Sequence, residues 1–176
     1  MIFLYKKYLK LITISDLILS WYYKNGRKLP WRMKGKHNNP YFVLVSEIML
    51  QQTKVITVIP YYYKFISKFK TIQDLSLATE EEILLLWKGM GYYSRAIRLL
   101  KCAKIIVKKY NGIIPNTYKI LRKLPGIGDY TASSILAFVY DKPSVVIDGN
   151  VNRIISRYYN LKYEIKSLKL IIKKRA

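Results

Sequence analysis

Glu47 lies inside the apolar run YFVLVSEIMLQQTKV, residues 41–55, and no other acidic residue occurs between Leu17 and Gln73. An apolar wall penalises the charged form of a carboxyl group, which is how a glutamate is kept available as a proton donor near neutral pH. On a helix Glu47 also shares a stripe with Gln51 and Lys54, so the alternative is a wet helix face between Leu44 and Leu50. A second carboxylate, Asp148, follows an apolar stretch in PSVVIDGNVNRIISRYY and precedes Gly149 and Asn150. By itself Asp148 reads equally as a helix N-cap.

A different chemistry is written in ILRKLPGIGDYTASSILAF, residues 120–138, where two apolar helical runs flank Pro125, Gly126, Ile127 and Gly128. Two glycines in three positions permit positive backbone angles and leave main-chain N–H groups uncovered. A helix N-terminus follows at once, so the turn suits a phosphate, with Arg122 and Lys123 beside it. The competing reading is a plain helix-turn-helix corner with glycine at a C-cap.

These residues need helices to position them. Apolar residues recur at helical spacing and strand signals are weak, so the chain is expected to be all-α. The pattern predicts helices over Ser15–Asn25, Tyr41–Gln51, Thr53–Phe69, Ile72–Ala78, Thr79–Lys88, Tyr93–Tyr110, Thr117–Lys123, Tyr130–Val139 and Asn150–Tyr159. Thr79 with Glu82 forms a capping box, and NGIIPNT closes one helix and opens another. Residues 1–14 read as an N-terminal extension, 15–159 as one catalytic unit, and 160–176 as a basic, partly amphipathic tail.

Thirty-two Lys plus Arg against 10 Asp plus Glu give 176 residues a formal charge of +22, which favours a polyanionic partner such as nucleic acid. Lysine outnumbers arginine 24 to eight alongside abundant Ile, Tyr and Asn, so compositional drift accounts for the excess as readily. One cysteine, Cys102, and one histidine, His37, exclude an internal disulfide and multi-histidine metal sites. Lys6, Lys7 and Lys10 break the N-terminal apolar run and no later run is long enough to span a bilayer, so a membrane is not expected and an intracellular, cytoplasmic protein is.

Four stretches, LPWR, SEIMLQQTKV, GMGYYSRA and LPGIGDYTA with VIDGNV, together resemble the helix-hairpin-helix base-excision glycosylases, and within them the adenine DNA glycosylases of the MutY type, from about Ser15 to Tyr159. The resemblance implies a two-lobed helical fold whose hairpin, through Gly126, Gly128, Arg27 and Lys123, grips the backbone of duplex DNA without reading its sequence. Lys54, Arg95 and Arg98 are implied as further backbone contacts. Glu47 would protonate a flipped adenine, and Asp148 would stay ionised and stabilise the sugar cation, with Tyr130 and Asn150 orienting Asp148 and the attacking water.

Trp31, Arg32, Leu50 and Val55 would border the adenine pocket, while Gln52 and Tyr92 take the wedge positions that hold an extruded base. Strand-cutting members carry a lysine where Tyr130 stands, so the resemblance implies a monofunctional enzyme that leaves an abasic site. Its expected partner is duplex DNA with adenine opposite guanine or 8-oxoguanine, bound by a monomer. A thymine-mismatch or oxidised-pyrimidine glycosylase, and a DNA-binding remnant without catalysis, are the alternatives. Family members continue into helices that close the second lobe, a four-cysteine 4Fe-4S cluster and a domain that inspects 8-oxoguanine. None is recognisable after Tyr159, so the second lobe is expected to be incomplete and no cofactor is expected.

Overall fold

The computed structural model describes residues 13–32 and 39–160; the N-terminal extension up to residue 12, His37 and the tail from residue 161 lie outside the described residues. Among the described residues all regular structure is helical: α1 (Ile14–Asn25), α2 (Pro40–Met49), α3 (Val55–Lys68), α4 (Ile72–Leu77), α5 (Glu80–Trp87), α6 (Ser94–Tyr110), α7 (Tyr118–Leu121), α8 (Asp129–Tyr140) and α9 (Gly149–Tyr158). Every one matches a segment predicted from apolar spacing, with ends displaced by two residues at most.

The caps explain why the boundaries are legible. Thr13 with Asp16, Thr71 with Asp74 and Thr79 with Glu82 each close a reciprocal capping box at the start of α1, α4 and α5. Asn111 and Gly112 end α6 in left-handed conformation, the turn that NGIIPNT foreshadowed.

α2 is the hub. From Val43 to Met49 every residue is buried, which fits a helix with apolar side chains all round. It packs against α3, α6 and α8, while α6 also carries α4 and α5. Phe65, Phe69 and Trp87 stack edge to face at the centre of that core. α1 and α9 stand at the border: α1 buries no residue, and α9 buries only Asn152. No described helix is long and apolar enough to cross a membrane.

Candidate active site and hairpin

A cleft of about 530 Å³ opens where α2 and α8 meet the ends of α1 and α9. Arg27, Trp31, Arg32, Glu47, Leu50, Val55, Tyr130, Asp148 and Asn150, drawn from segments more than a hundred residues apart, all line it. The wet-face alternative for Glu47 fails here, because its side chain is 8% exposed at the cleft floor, against wholly buried Leu44 and Ile48. Burial is the dominant cause that lifts the Glu47 carboxyl above the ordinary carboxylate range; Ser134 and the positive Arg32 act weakly in the opposite sense. The Ser134 hydroxyl is fully buried and makes no hydrogen bond of standard geometry.

Asp148 is the N-cap of α9 and also a cleft residue, so its two sequence readings are compatible. One carboxylate oxygen accepts from the Val151 amide at 2.7 Å, and the other accepts from the Asn150 side-chain amide at 3.2 Å. Asn150 is itself held by Arg153, which donates to its side-chain oxygen at 2.9 Å. Tyr130 stands on the first turn of α8. Its phenol is raised chiefly by burial and then by the charges of Glu47 and Asp148, so it senses both carboxyl groups.

Sequence reasoning missed several wall residues. Phe138 lies two helical turns after Tyr130 on α8, at i+8, a signal that could have been read from TASSILAF once Tyr130 was placed. Tyr22 reaches in from α1, where its hydroxyl accepts from Arg32 at 3.1 Å and its ring lies 5.9 Å under the same guanidinium. Trp31 is fixed by an edge-on contact with Tyr62 at 5.1 Å between ring centres.

The hairpin joins α7 to α8 and differs from expectation in two respects. Gly126 does adopt positive φ (+80°), with its α-carbon pressed toward Arg98 and Ile48. Gly128 does not: it is extended, at φ −84°, and serves as the N-cap of α8 with open space around it. Arg122 is no free charge at this turn, because it donates to the Ile127 carbonyl at 2.8 Å and pairs with Asp129 at 2.5 Å, bracing the loop from inside. Lys123 is exposed beside it.

Arg95 is likewise not a backbone contact for DNA. Only 5% of it is exposed, and its guanidinium is the cap of α2: it donates to the carbonyls of Met49 (2.7 Å), Ile48 (3.3 Å) and Gln51. Those carbonyls lie at and just beyond the C-terminus of α2, where a cation is favoured. The second terminal nitrogen reaches both the Thr53 hydroxyl at 2.9 Å and the Gly91 carbonyl at 3.1 Å, with the rings of Trp87 and Tyr92 at 5.6 and 5.4 Å. Gln52 and Tyr92 do not line the cleft; both are exposed at loop tips, and both hold positive φ, 58° and 50°.

A four-thiolate iron-sulfur cluster needs four cysteines, and the chain has one, Cys102, buried in the packed interior of α6. The residues present do not fit that group.

Comparison with known proteins places the chain among DNA glycosylases by sequence and fold. An adenine DNA glycosylase of Buchnera aphidicola subsp. Baizongia pistaciae is 49% identical over 162 residues, 92% of this chain and 45% of that protein. The adenine DNA glycosylase of Rattus norvegicus is 45% identical over 146 residues, 80% of this chain and 28% of that protein. This chain thus spans less than half the length of these relatives. A thermostable thymine-DNA glycosylase structure superposes with a TM-score of 0.75 at 31% identity, covering 86% of this chain and 71% of that one. A non-covalent endonuclease III-DNA complex shares the fold, with a TM-score of 0.73 at 22% identity, over 90% of this chain and 73% of that one. Residues 45–174 match the HhH-GPD superfamily of base excision DNA repair proteins, which contains Glu47, the hairpin and Asp148, and the chain belongs to that superfamily.

Proposed function

We propose that the chain is a monofunctional adenine DNA glycosylase that hydrolyses the N-glycosidic bond of adenine opposite guanine or 8-oxoguanine, acting as a monomer on duplex DNA in the cytoplasm. The observation that carries the reading is the pair of carboxyl groups in one cleft with opposite surroundings: Glu47 buried and pushed toward its neutral form, Asp148 half-buried with hydrogen-bond donors on both oxygens.

In the proposed reaction the extruded adenine enters the cleft between Trp31, Leu50 and Val55. Glu47 gives its proton to the imidazole-ring nitrogen, and the base departs neutral with the electron pair of the N-glycosidic bond. The sugar left behind is an oxocarbenium-like cation, which Asp148 stabilises by charge or by a transient bond. Water then adds to the anomeric carbon and passes its proton to a cleft carboxylate, from which Glu47 is reprotonated for the next turnover, with Tyr130 and Asn150 positioning Asp148 and that water. The product is an abasic site on an intact strand, since no lysine stands at position 130 to form a Schiff base.

The hairpin supplies the grip. Gly128 leaves the N-terminus of α8 open toward a phosphate, and Arg27 and Lys123 add charge on exposed surface. A second reading, excision of thymine from a mismatch, has one specific observation in its favour, the 31% identity to the thymine-DNA glycosylase structure.

Both readings are tested with one panel of labelled duplexes carrying adenine opposite guanine, adenine opposite 8-oxoguanine, and thymine opposite guanine, each treated with alkali after incubation and, separately, with borohydride during it. Alkali-dependent cleavage at adenine alone, with no trapped protein-DNA adduct, is the expected result. Cleavage at thymine, or a covalent adduct, contradicts the proposal.

A further inference from the structure

The loop after α2 and the loop before α6 each end in an exposed side chain on a left-handed backbone, Gln52 and Tyr92. L-residues other than asparagine, aspartate and glycine seldom rest there unless their surroundings impose it. The imposing element is one buried side chain. Arg95 donates to the Gln51 carbonyl and the Thr53 hydroxyl on either side of Gln52, and to the Gly91 and Tyr92 carbonyls in the other loop, 3.1 and 3.4 Å away. The same guanidinium lies 5.4 Å from the Tyr92 ring.

Resting on the base-excision reading above, we infer that Arg95 is a positioning residue that locks the Gln52 and Tyr92 loops into one rigid wedge, so that the duplex is opened against a preformed surface. A wedge of two independent flexible loops would spend the energy of insertion on ordering itself; a wedge already fixed by the protein spends it on unstacking the base. A planar fork with five donors can serve carbonyls in two loops at once, which the three donors of a lysine point charge cannot reproduce.

The same geometry ties the wedge to the chemistry. Arg95 also holds the Ile48 and Met49 carbonyls, at the end of the helix that carries Glu47. Movement of either loop is therefore transmitted to the turn of α2 that follows the acid, and the wedge and the proton donor share one anchor.

The test uses duplex DNA with 2-aminopurine, an adenine analogue whose fluorescence rises on unstacking, placed opposite guanine. The full chain, Arg95→Lys and Thr53→Val are compared at saturating protein, with duplex binding, circular dichroism and adenine release from an adenine-guanine duplex measured on the same samples. The expected result is that both variants stay helical and bind duplex as the parent does, while the fluorescence rise falls by about tenfold for Arg95→Lys, the scale of one or two lost hydrogen bonds, and less for Thr53→Val.

Folded Arg95→Lys protein with the parent's fluorescence rise would overturn the inference. Thr53→Val decides it if Arg95→Lys fails to fold, because a parental rise in that variant means the link to the loop is idle. A parent that binds duplex with no rise at all also overturns it. The base-excision reading fails separately, on absence of adenine release by the parent, which the fluorescence comparison does not depend on.

Discussion

The side-chain amide of Gln51 donates to the carbonyl of Gly126 at 3.0 Å, joining the end of α2 to the tight turn of the hairpin across 75 residues of chain. The same nitrogen reaches the Thr131 hydroxyl at 3.3 Å. The helix of Glu47 and the hairpin turn of Gly126 are thereby held in register by one side chain. Gln51→Ala is expected to leave a partly buried carbonyl unpaired, at a cost of about 1–2 kcal/mol. Adenine release should slow more than duplex binding weakens. Equal losses in both, measured by single-turnover rates and titration on one preparation, would contradict a registering role.

Gly126 sits where a β-carbon would be both strained by the backbone and tightly placed. Its φ is +80°, and an added β-carbon would sit 3.2 Å from Cβ of Arg98 and 3.7 Å from Cδ1 of Ile48. Gly126→Ala should therefore destabilise the fold by about 1–2 kcal/mol from the left-handed backbone alone. Gly128→Ala is extended and unobstructed, so it should cost far less stability. Thermal melts of the two variants decide this, and equal destabilisation would contradict the assignment.

Asp148 caps α9 and faces the cleft, and one substitution separates these duties. Asparagine retains a side-chain oxygen for the Val151 amide, so Asp148→Asn should melt within about 0.5 kcal/mol of the parent. It removes the carboxylate that the proposed reaction sets opposite the sugar, so adenine release should fall by about a hundredfold or more. Asp148→Ala loses both and should also lose about 1 kcal/mol of stability. A fully active Asp148→Asn protein would remove the cation-stabilising role.

Burial raises the Glu47 carboxyl in the folded chain above the ordinary value of 4.5 that it has when unfolded. The folded state then holds a proton that the unfolded state releases first, so the stability from the neutral acid is complete below the unfolded pKa and is lost as pH rises through the folded one. Glu47→Gln has no such proton. The variant should gain stability relative to the parent as pH rises from 4.5 upward, then level off once the parent's Glu47 is ionised. A pH-independent difference between the two melting curves would mean that Glu47 is not held neutral.

The helices were legible because their signals are local: apolar spacing set the spans, and threonine-acid pairs such as Thr79 with Glu82 set the starts. The carboxyl pair was legible only as two short motifs, since nothing within either segment states that Glu47 and Asp148 share a cleft. Arg95 was misread because an arginine in GMGYYSRA looks like surface charge; only the fold reveals carbonyls of α2 waiting around it. Arg122 was misread for the same reason, its partner Asp129 being within reach only after the hairpin closes. Phe138 and Tyr22 went unnoticed because each reaches the cleft from a helix face defined by packing rather than by type.

The central claim is that the buried acid of α2 donates the proton that releases adenine. It is tested most directly by single-turnover release of adenine from a duplex with one adenine opposite 8-oxoguanine, using the full chain, its Glu47→Gln variant, and an adenine-thymine duplex as control. Release by the parent on the mismatched duplex only is expected, with Glu47→Gln folded, bound to the duplex and inactive. A Glu47→Gln protein that releases adenine as fast as the parent would contradict it.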